Sequence, residues 1–219
     1  MIYSSVVSRD TVQIGLLVAA LNGLNILADD IQNAFLEAPT KEKVFFYAGE
    51  EWKLNKDRIV MMVRALYGLK SSALQFRNFL ADILSNRMGF TSSLADPDLW
   101  YKPATKRDGS EDYSYILVYV DDVLIIDEDP KQFMEMIQAG VTAKPESIDE
   151  PKTYLGADLS KVYYNDGSFA WTMGSYKYIK KAVKNLKARI EKDGLEFNKK
   201  LSDPLYRSAQ GFSNVKYRP

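Results

Sequence analysis

The 219-residue sequence contains neither cysteine nor histidine. Without cysteine, the chain can form no disulfide and no thiolate metal site. Without histidine, it lacks the most common general base, the Ser-His triads and most kinds of zinc site. Any catalysis must therefore use carboxylates, lysines, tyrosines or a hard metal ion such as Mg2+ that oxygen atoms bind.

The sequence also lacks a hydrophobic run long enough to cross a bilayer. The apolar stretch at residues 15–21 is much shorter than the roughly 20 residues that a transmembrane helix needs. Residues 1–5 lack the basic start and apolar core of a signal peptide. We therefore expect no membrane partner. Because the chain enters its first predicted helix almost directly from Met1, we interpret it as a fragment of a longer polyprotein.

The formal net charge is zero, but the charges are unevenly distributed. Residues 176–219 are rich in Lys and Arg and poor in Asp and Glu, so the preceding residues carry a matching excess of acid. An acidic body with a basic tail fits a cation-binding centre beside an arm that binds anions. An ordinary Lys-rich surface helix would explain the basic tail equally well.

Hydrophobic residues make up 46% of the chain, which is enough for a packed core. Their periodicity predicts helices at residues 11–21, 72–87, 130–137 and 175–192. It predicts strands at 25–31, 44–47, 60–63, 113–118, 123–126, 154–159 and 169–171. On the last helix, four residues are expected to face inward: Tyr178, Ile179, Ala182 and Leu186. This order favours an α+β fold with a mostly antiparallel sheet backed by helices.

Two adjacent carboxylates, Asp121 and Asp122, stand between the predicted strands at 113–118 and 123–126. This arrangement indicates a tight hairpin with acids at its tip. Packing does not explain the pair, because adjacent carboxylates repel and burying either one is costly without a balancing cation. The alternative is a solvated turn, in which Asp is common.

A further acid, Asp30, lies in the apolar strand at 25–31. If the two strands are neighbours, three carboxylates converge at one edge of the sheet. Oxygen ligands without His or Cys favour Mg2+ or Mn2+. Two such ions can activate a hydroxyl and neutralise a leaving pyrophosphate, which is the chemistry of nucleotidyl transfer. In the alternative, Asp30 and Asp121 lie far apart and each is solvated.

Five short segments of the chain are distinctive: SVV at 5–7, DIQNAFL at 30–36, LYGLK at 66–70, YVDD at 119–122 and YLGADL at 154–159. Their sequences and their order resemble those of Ty1/copia-type retrotransposon reverse transcriptases. The four longer motifs in this order are far more specific than YVDD alone. The resemblance covers roughly residues 4 to 190 and implies the RNA-directed DNA polymerase domain of a Gag-Pol polyprotein.

The resemblance implies a reverse-transcriptase palm, a ferredoxin-like antiparallel sheet backed by helices, with partial fingers and the start of a thumb. We expect the palm with partial fingers at residues 1–160, the start of the thumb at 161–195 and a loosely ordered tail at 196–219. The implied partners are an RNA or DNA template with its primer, dNTPs, and the RNase H and integrase domains of the parent polyprotein. The family implies a cytoplasmic virus-like particle and the nucleus as locations.

The resemblance also implies a catalytic site that binds two Mg2+ ions, or Mn2+. Asp30, Asp121 and Asp122 would be the catalytic residues, and the carbonyl of Ile31 would be a further metal ligand. The implied dNTP-binding residues are Phe35, Tyr67, Gly68 and Lys70. Phe35 would exclude a 2′-OH by a clash, although a simple core position is the alternative. Lys70 would reach a phosphate or face solvent.

The implied primer and template contacts form two groups. The first lies near the acids and in the YLGADL segment, which corresponds to the primer grip: Tyr119, Tyr154, Leu155 and Gly156. The second lies on the basic helix, whose lysines would follow the phosphates of the duplex: Lys177, Lys180, Lys181 and Lys184.

The chain departs from the family pattern at two positions. Ser71-Ser72-Ala73-Leu74 stands where the family usually has Gln, a small residue, Pro and Arg, and Asp158 replaces a Glu. The basic residues of the fingers would lie before residue 1. These departures support an alternative function, a truncated or decayed copy that folds and binds nucleic acid without turnover.

Overall fold

A computed structural model describes residues 4–141 and 151–194 of the chain. The chain divides into two compact units, Met1–Gly174 and Ser175–Pro219. The predicted domain boundaries at 160 and 195 stay predictions, and the predicted tail at 196–219 lies outside the described residues.

The first unit is built on a five-stranded antiparallel sheet whose strands have the following bounds: β1 Asn25–Asp30, β4 Thr91–Ser92, β5 Leu99–Thr105, β6 Glu111–Tyr119 and β7 Asp122–Asp127. Their order in the sheet is β1-β7-β6-β5-β4. The predicted strands at 25–31, 113–118 and 123–126 are thus confirmed within two residues at each end. Because β1 pairs with β7, residues far apart in sequence become neighbours at one end of this sheet.

Each face of the sheet packs against a separate core cluster. On β7, Leu124 and Ile126 face one cluster, while Val123 and Ile125 face the other, as the two-residue period of a strand requires. The α1-side cluster consists of Val7, Val12, Leu16, Ala19, Leu24, Ile26, Leu117, Leu124, Ile126, Tyr154 and Leu159. The α3-side cluster includes Phe35, Phe76, Leu80, Ile83, Phe90, Ile116, Val118, Phe133, Met134 and Ile137.

Helix α1, Arg9–Asn22, covers the first of these faces. Its N-terminal cap is Ser8, whose side chain accepts a hydrogen bond from the Thr11 N–H. The Asp96 carboxylate accepts two more, from the Ser8 N–H at 2.9 Å and the Thr11 hydroxyl at 2.6 Å. The helix ends at Gly23, which adopts the left-handed conformation of a C-terminal cap.

The other face is covered by α2, Ala34–Glu37, α3, Ser72–Asp82, and α4, Pro130–Gly140. The single long helix predicted at 72–87 changes at Ile83–Arg87 into a π-helical turn, which the apolar pattern alone does not reveal. Pro130 occupies the first turn of α4, as predicted for a residue without an N–H.

Two smaller antiparallel sheets complete the first unit. One pairs β2, Phe45–Tyr47, with β3, Ile59–Met61. The other contains β8, Thr153–Tyr154, β9, Ala157–Tyr163, and β10, Phe169–Gly174. The single strand predicted at 154–159 is therefore wrong: Leu155 and Gly156 form a turn at φ of 49° and 74° between β8 and β9.

Helix α5, Tyr176–Lys192, lies in the second unit. The inward orientation predicted for Tyr178, Ile179, Ala182 and Leu186 is wrong. Tyr178, Ile179 and Leu186 are 71%, 58% and 52% exposed, and Ala182 is exposed as well. Helical spacing identified a shared apolar stripe but not what covers it. Within the described ranges, no helix is both long and apolar enough to span a membrane.

Candidate active site

The β6–β7 hairpin presents the two adjacent acids, as predicted. Tyr119 pairs with Asp122, so Val120 and Asp121 form a two-residue turn. Val120 has a φ of 57°, a left-handed conformation that costs a β-branched residue about 1–3 kcal/mol. Its side chain packs against the α3-side cluster, which helps to hold the strained turn in place.

Asp30 reaches the same place through the pairing of β1 with β7. It is the last residue of β1 and lies directly opposite Asp122. The next residue, Ile31, donates its N–H to the carbonyl oxygen of Asp121 at 2.9 Å. The alternative in which Asp30 and Asp121 lie far apart is therefore wrong.

Strand alternation places Asp30 and Asp122 on one side of the sheet. Asp122 continues the β7 positions Leu124 and Ile126, and Asp30 continues the β1 positions Ile26 and Ala28. Asp29 has the opposite orientation, and its carboxylate accepts a hydrogen bond from the Gln138 side chain of α4 at 2.9 Å. Of the two neighbouring acids on β1, only Asp30 shares a face with Asp122.

The electrostatics of the acids reflect this proximity. Burial, followed by repulsion from Asp30 and then Asp121, raises the pKa of Asp122 to about 6. Burial, Asp121 and Asp29, in that order, raise the pKa of Asp30. A protein that concentrates like charges in this way gains stability from any cation that binds between them.

The chemistry of these donors fits a hard divalent cation, because they are carboxylate oxygens with no competing nitrogen or sulfur ligand. The mutual repulsion of Asp30, Asp121 and Asp122 also fits a bound cation, since a cation would relieve the repulsion. Over residues 4–141 and 151–194, no three Asp or Glu side chains lie close enough together to coordinate one metal ion as they stand. The ligand role of the Ile31 carbonyl stays a prediction.

Tyr67 connects the LYGLK loop to these acids. Its hydroxyl donates a hydrogen bond to the Asp121 carboxylate across 3.3 Å. Its ring packs on Phe35 with 4.4 Å between the ring centroids. Partial desolvation of the hydroxyl, followed by the charge of Asp121, raises the pKa of Tyr67, which therefore stays protonated as a donor at neutral pH.

Phe35 is 9% exposed and belongs to the α3-side cluster, with its ring centroid 6.2 Å from that of Phe76. The core position considered above is thus confirmed, and the same ring also lies beside Tyr67. Its role in sugar selection stays a prediction.

Gly68 has a φ of 103°, which favours glycine, and a Cβ built there would meet no atom within 4 Å. Lys70 is exposed, consistent with either of its two predicted orientations.

The predicted primer contacts differ in accessibility. Tyr119 is 38% exposed, whereas Tyr154 is only 3% exposed and lies in the α1-side cluster. The neighbouring turn at Leu155 and Gly156 is partly or fully exposed. The primer role therefore suits the turn better than the Tyr154 ring. The exposed lysines of α5 belong to the second unit: Lys177, Lys180, Lys181 and Lys184.

Sequence reasoning missed the serines that follow the LYGLK motif. Ser72 is 1% exposed, and its hydroxyl bonds to both the N–H and the carbonyl of Leu66. Ser71 donates its N–H to the Glu42 carboxylate at 2.9 Å. The departure from the family pattern at residues 71–74 does not indicate these contacts, because they form only when the LYGLK loop packs against the start of α3.

The profile of the family described as reverse transcriptase (RNA-dependent DNA polymerase) matches residues 1–190. The chain is 32% identical over 135 residues to the Retrovirus-related Pol polyprotein from transposon RE1 of Arabidopsis thaliana, a match that covers 58% of this chain and 8% of that protein. It is 25% identical over 130 residues to the corresponding polyprotein from transposon TNT 1-94 of Nicotiana tabacum, covering 58% of this chain and 9% of that protein.

A third relative, the polyprotein from transposon RE2 of Arabidopsis thaliana, is 30% identical over 134 residues, covering 58% of this chain and 8% of that protein. The matches thus cover less than a tenth of each of these relatives. No solved structure matches the chain significantly. The family profile spans the acidic hairpin, β1 and the LYGLK loop together, and the expected kinship with Ty1/copia-type enzymes is confirmed. The chain belongs to the reverse transcriptase (RNA-dependent DNA polymerase) family.

Proposed function

We propose that this chain is the catalytic palm, with partial fingers and the start of the thumb, of a retrotransposon RNA-directed DNA polymerase. It adds dNTPs to a primer 3′-OH on an RNA or DNA template. The single observation that supports this most strongly is the placement of Asp30 opposite Asp122, with Asp121 in the adjoining turn.

In this proposal, Asp30, Asp121 and the Ile31 carbonyl hold two Mg2+ or Mn2+ ions, and Asp122 supports the site. When bound, such ions lower the pKa of an attacking hydroxyl and neutralise a leaving pyrophosphate. The raised pKa of Asp122 means that cation binding displaces a proton from part of the protein population at neutral pH.

The neighbouring side chains orient the nucleotide. Phe35 lies beneath the sugar and excludes a 2′-OH by its bulk. Tyr67 packs on Phe35 and reaches Asp121, so it connects the sugar position with the acids. Gly68 permits close approach of the backbone to the nucleotide, and Lys70 supplies a cation for a phosphate.

The nucleic acid is held through its backbone. Tyr119 and the turn at Leu155 and Gly156 support the primer terminus. The α5 lysines contact phosphates and release counterions, so binding weakens as salt rises. An A-form-like hybrid is then recognised by its shape rather than its sequence.

The test is primer extension on poly(rA)/oligo(dT), with and without Mg2+, with the unaltered protein and the Asp121→Asn variant. We expect Mg2+-dependent synthesis by the unaltered protein, and a rate about 100- to 1000-fold lower in the Asp121→Asn variant. The matched control is Asp108→Asn, since Asp108 lies in the loop between β5 and β6, where its carboxylate accepts hydrogen bonds from Ser110.

Synthesis retained by Asp121→Asn would sink the assignment of the acids. If the unaltered protein binds primer–template but makes no product, it is either a palm that needs the basic residues of complete fingers for synthesis or a decayed, inactive copy.

A further inference from the structure

The hydroxyl of Ser72 closes the loop that carries the LYGLK motif. It accepts the Leu66 N–H at 3.1 Å and donates to the Leu66 carbonyl oxygen at 2.6 Å. One side chain thus satisfies both main-chain polar groups of a residue six positions earlier. Ser72 is 1% exposed, so solvent does not compete for these two bonds.

This pairing is not a helix cap. A capping side chain bonds to the first N–H groups of its own helix, whereas the Ser72 hydroxyl bonds back to the loop. The preceding residue, Ser71, makes no side-chain cap bond to α3 either, and its N–H donates to Glu42. Both serines therefore fasten loop segments to the start of α3.

The residue immediately after Leu66 is Tyr67. Its side chain is 62% exposed, so burial does little to fix its position. The ring nevertheless lies 4.4 Å from Phe35, and the hydroxyl lies 3.3 Å from Asp121. An exposed side chain can keep two such contacts only if the backbone beneath it is held firmly.

We propose that Ser72 is a positioning residue for nucleotide selection, which acts by holding the Leu66 backbone so that Tyr67 packs on Phe35 and reaches Asp121. Ser72 itself touches no substrate. The inference rests on the proposed function, because it assigns Phe35 and Tyr67 to the nucleotide site. Without its hydroxyl, the loop loses two hydrogen bonds, and Tyr67 no longer supports the ring of Phe35.

The main test compares Ser72→Ala with Ser114→Ala. Ser114 is the matched control, because it is also 1% exposed and its hydroxyl also bonds inside the protein, to Asp127. It lies outside the LYGLK loop, on β6, five residues before Tyr119. The measurement is the ratio of kcat/KM for a dNTP to that for the matching rNTP. This ratio does not depend on the fraction of folded protein, so a merely structural role does not move it.

We expect Ser72→Ala to lower the ratio about fivefold, because only part of the contribution of the two lost hydrogen bonds acts on sugar selection, and Ser114→Ala to leave it unchanged. In a Tyr67→Ala background, the effect of Ser72→Ala should vanish, because the two residues act in series. An unchanged ratio in Ser72→Ala, or an undiminished effect without the Tyr67 ring, would overturn the proposal.

A second measurement needs no turnover and separates this proposal from the proposed function. In amide NMR spectra of the folded protein, Ser72→Ala should shift the resonances of Tyr67 and Asp121, while Ser114→Ala should not. If the unaltered protein makes no DNA, the proposed function fails but these shifts still support the positioning of Tyr67. If the two resonances stay in place, the positioning role fails even in an active polymerase.

Discussion

Asp30 and Asp122 lie directly opposite each other on β1 and β7, although the chain that connects them makes up about half of the first unit. Partners in an antiparallel pair have Cβ atoms about 4.5–5.5 Å apart, and like charges at such positions destabilise the sheet. The sheet therefore accepts an electrostatic cost at the place where the proposed chemistry requires acids.

The cost can be measured as a gain in stability for Asp122→Asn. The pKa of Asp122 is raised from an unfolded value near 3.8 to about 6, so the folded protein binds this proton more tightly. The ionised form thus destabilises the fold above pH 6, and the effect disappears below about pH 4. Without metal at pH 8, we expect the variant to be more stable by about 1–2 kcal/mol, because solvent screens part of the repulsion at this half-buried carboxylate.

Urea unfolding in the presence of a chelator, at pH 8 and at pH 4, provides the measurement. The gain should shrink at the lower pH, where wild-type Asp122 is protonated in the folded state and partly protonated in the unfolded state. Equal stabilities of the two proteins at pH 8 would show that the carboxylate carries no net penalty.

Phe35→Ala should relax sugar selection, because the ring that excludes a 2′-OH is removed. The variant should also lose about 3–5 kcal/mol of stability, since Phe35 is part of the α3-side cluster. Phe90→Ala is the control: Phe90 lies in the same cluster and packs on Phe133. It should lose stability and keep its preference for dNTPs. Discrimination unchanged in Phe35→Ala would leave Phe35 with a core role alone.

Arg77→Met should destabilise the fold by about 3 kcal/mol, because it leaves the Asp98 carboxylate buried without its cation. The Arg77 Nε lies 2.8 Å from this carboxylate, whose side chain is 2% exposed. The Asp98 carbonyl also accepts the N–H of Val118, so the pair supports the strand that leads to the acidic hairpin.

Two further variants test this prediction by chemical denaturation. Arg77→Met combined with Asp98→Asn should regain part of the loss, since the buried charge is gone. Lys56→Met breaks the pair with Glu50, which has the same 2.8 Å separation but is 47% and 88% exposed, and should cost less than about 1 kcal/mol. Similar losses for Arg77→Met and Lys56→Met would contradict the argument from burial.

Tyr154→Phe should stabilise the fold by about 1 kcal/mol. The Tyr154 hydroxyl is buried and has no hydrogen-bond partner among the residues that the structure describes. Burial, followed by the charges of Asp122 and Tyr119, also raises its pKa. Removing such a group removes its desolvation cost. Thermal unfolding beside Tyr113→Phe, whose ring is 45% exposed, measures the effect. A loss of stability would mean that the hydroxyl has found a partner in solution.

The strands around the acids could be predicted from sequence because each is a short apolar run bounded by polar residues. Asp121 and Asp122 stood out because acids between apolar strands need an explanation. Their union with Asp30 required the pairing of β1 with β7, which local patterns do not contain. The order of the family motifs along the chain indicated that Asp30 belongs to the same site as Asp121 and Asp122.

Other features depend on tertiary contacts that no local pattern encodes. The Leu155–Gly156 turn interrupts an apolar run that is typical of one strand. The exposed stripe on α5 has the same spacing as a buried one. Ser72 is a small polar residue whose partner lies six positions earlier, and only the closed loop shows that contact.

The position of β1 at the border of the five-stranded sheet has a consequence for handling the protein. An outer strand exposes unpaired main-chain groups that can recruit strands from other molecules. In β1, the end of this border carries Asp29 and Asp30, whose negative charges discourage such recruitment. Changing Asp30 to an apolar residue therefore removes both a proposed metal ligand and part of the protection against aggregation. Asp30→Asn or Asp121→Asn is the safer choice for preparing inactive protein.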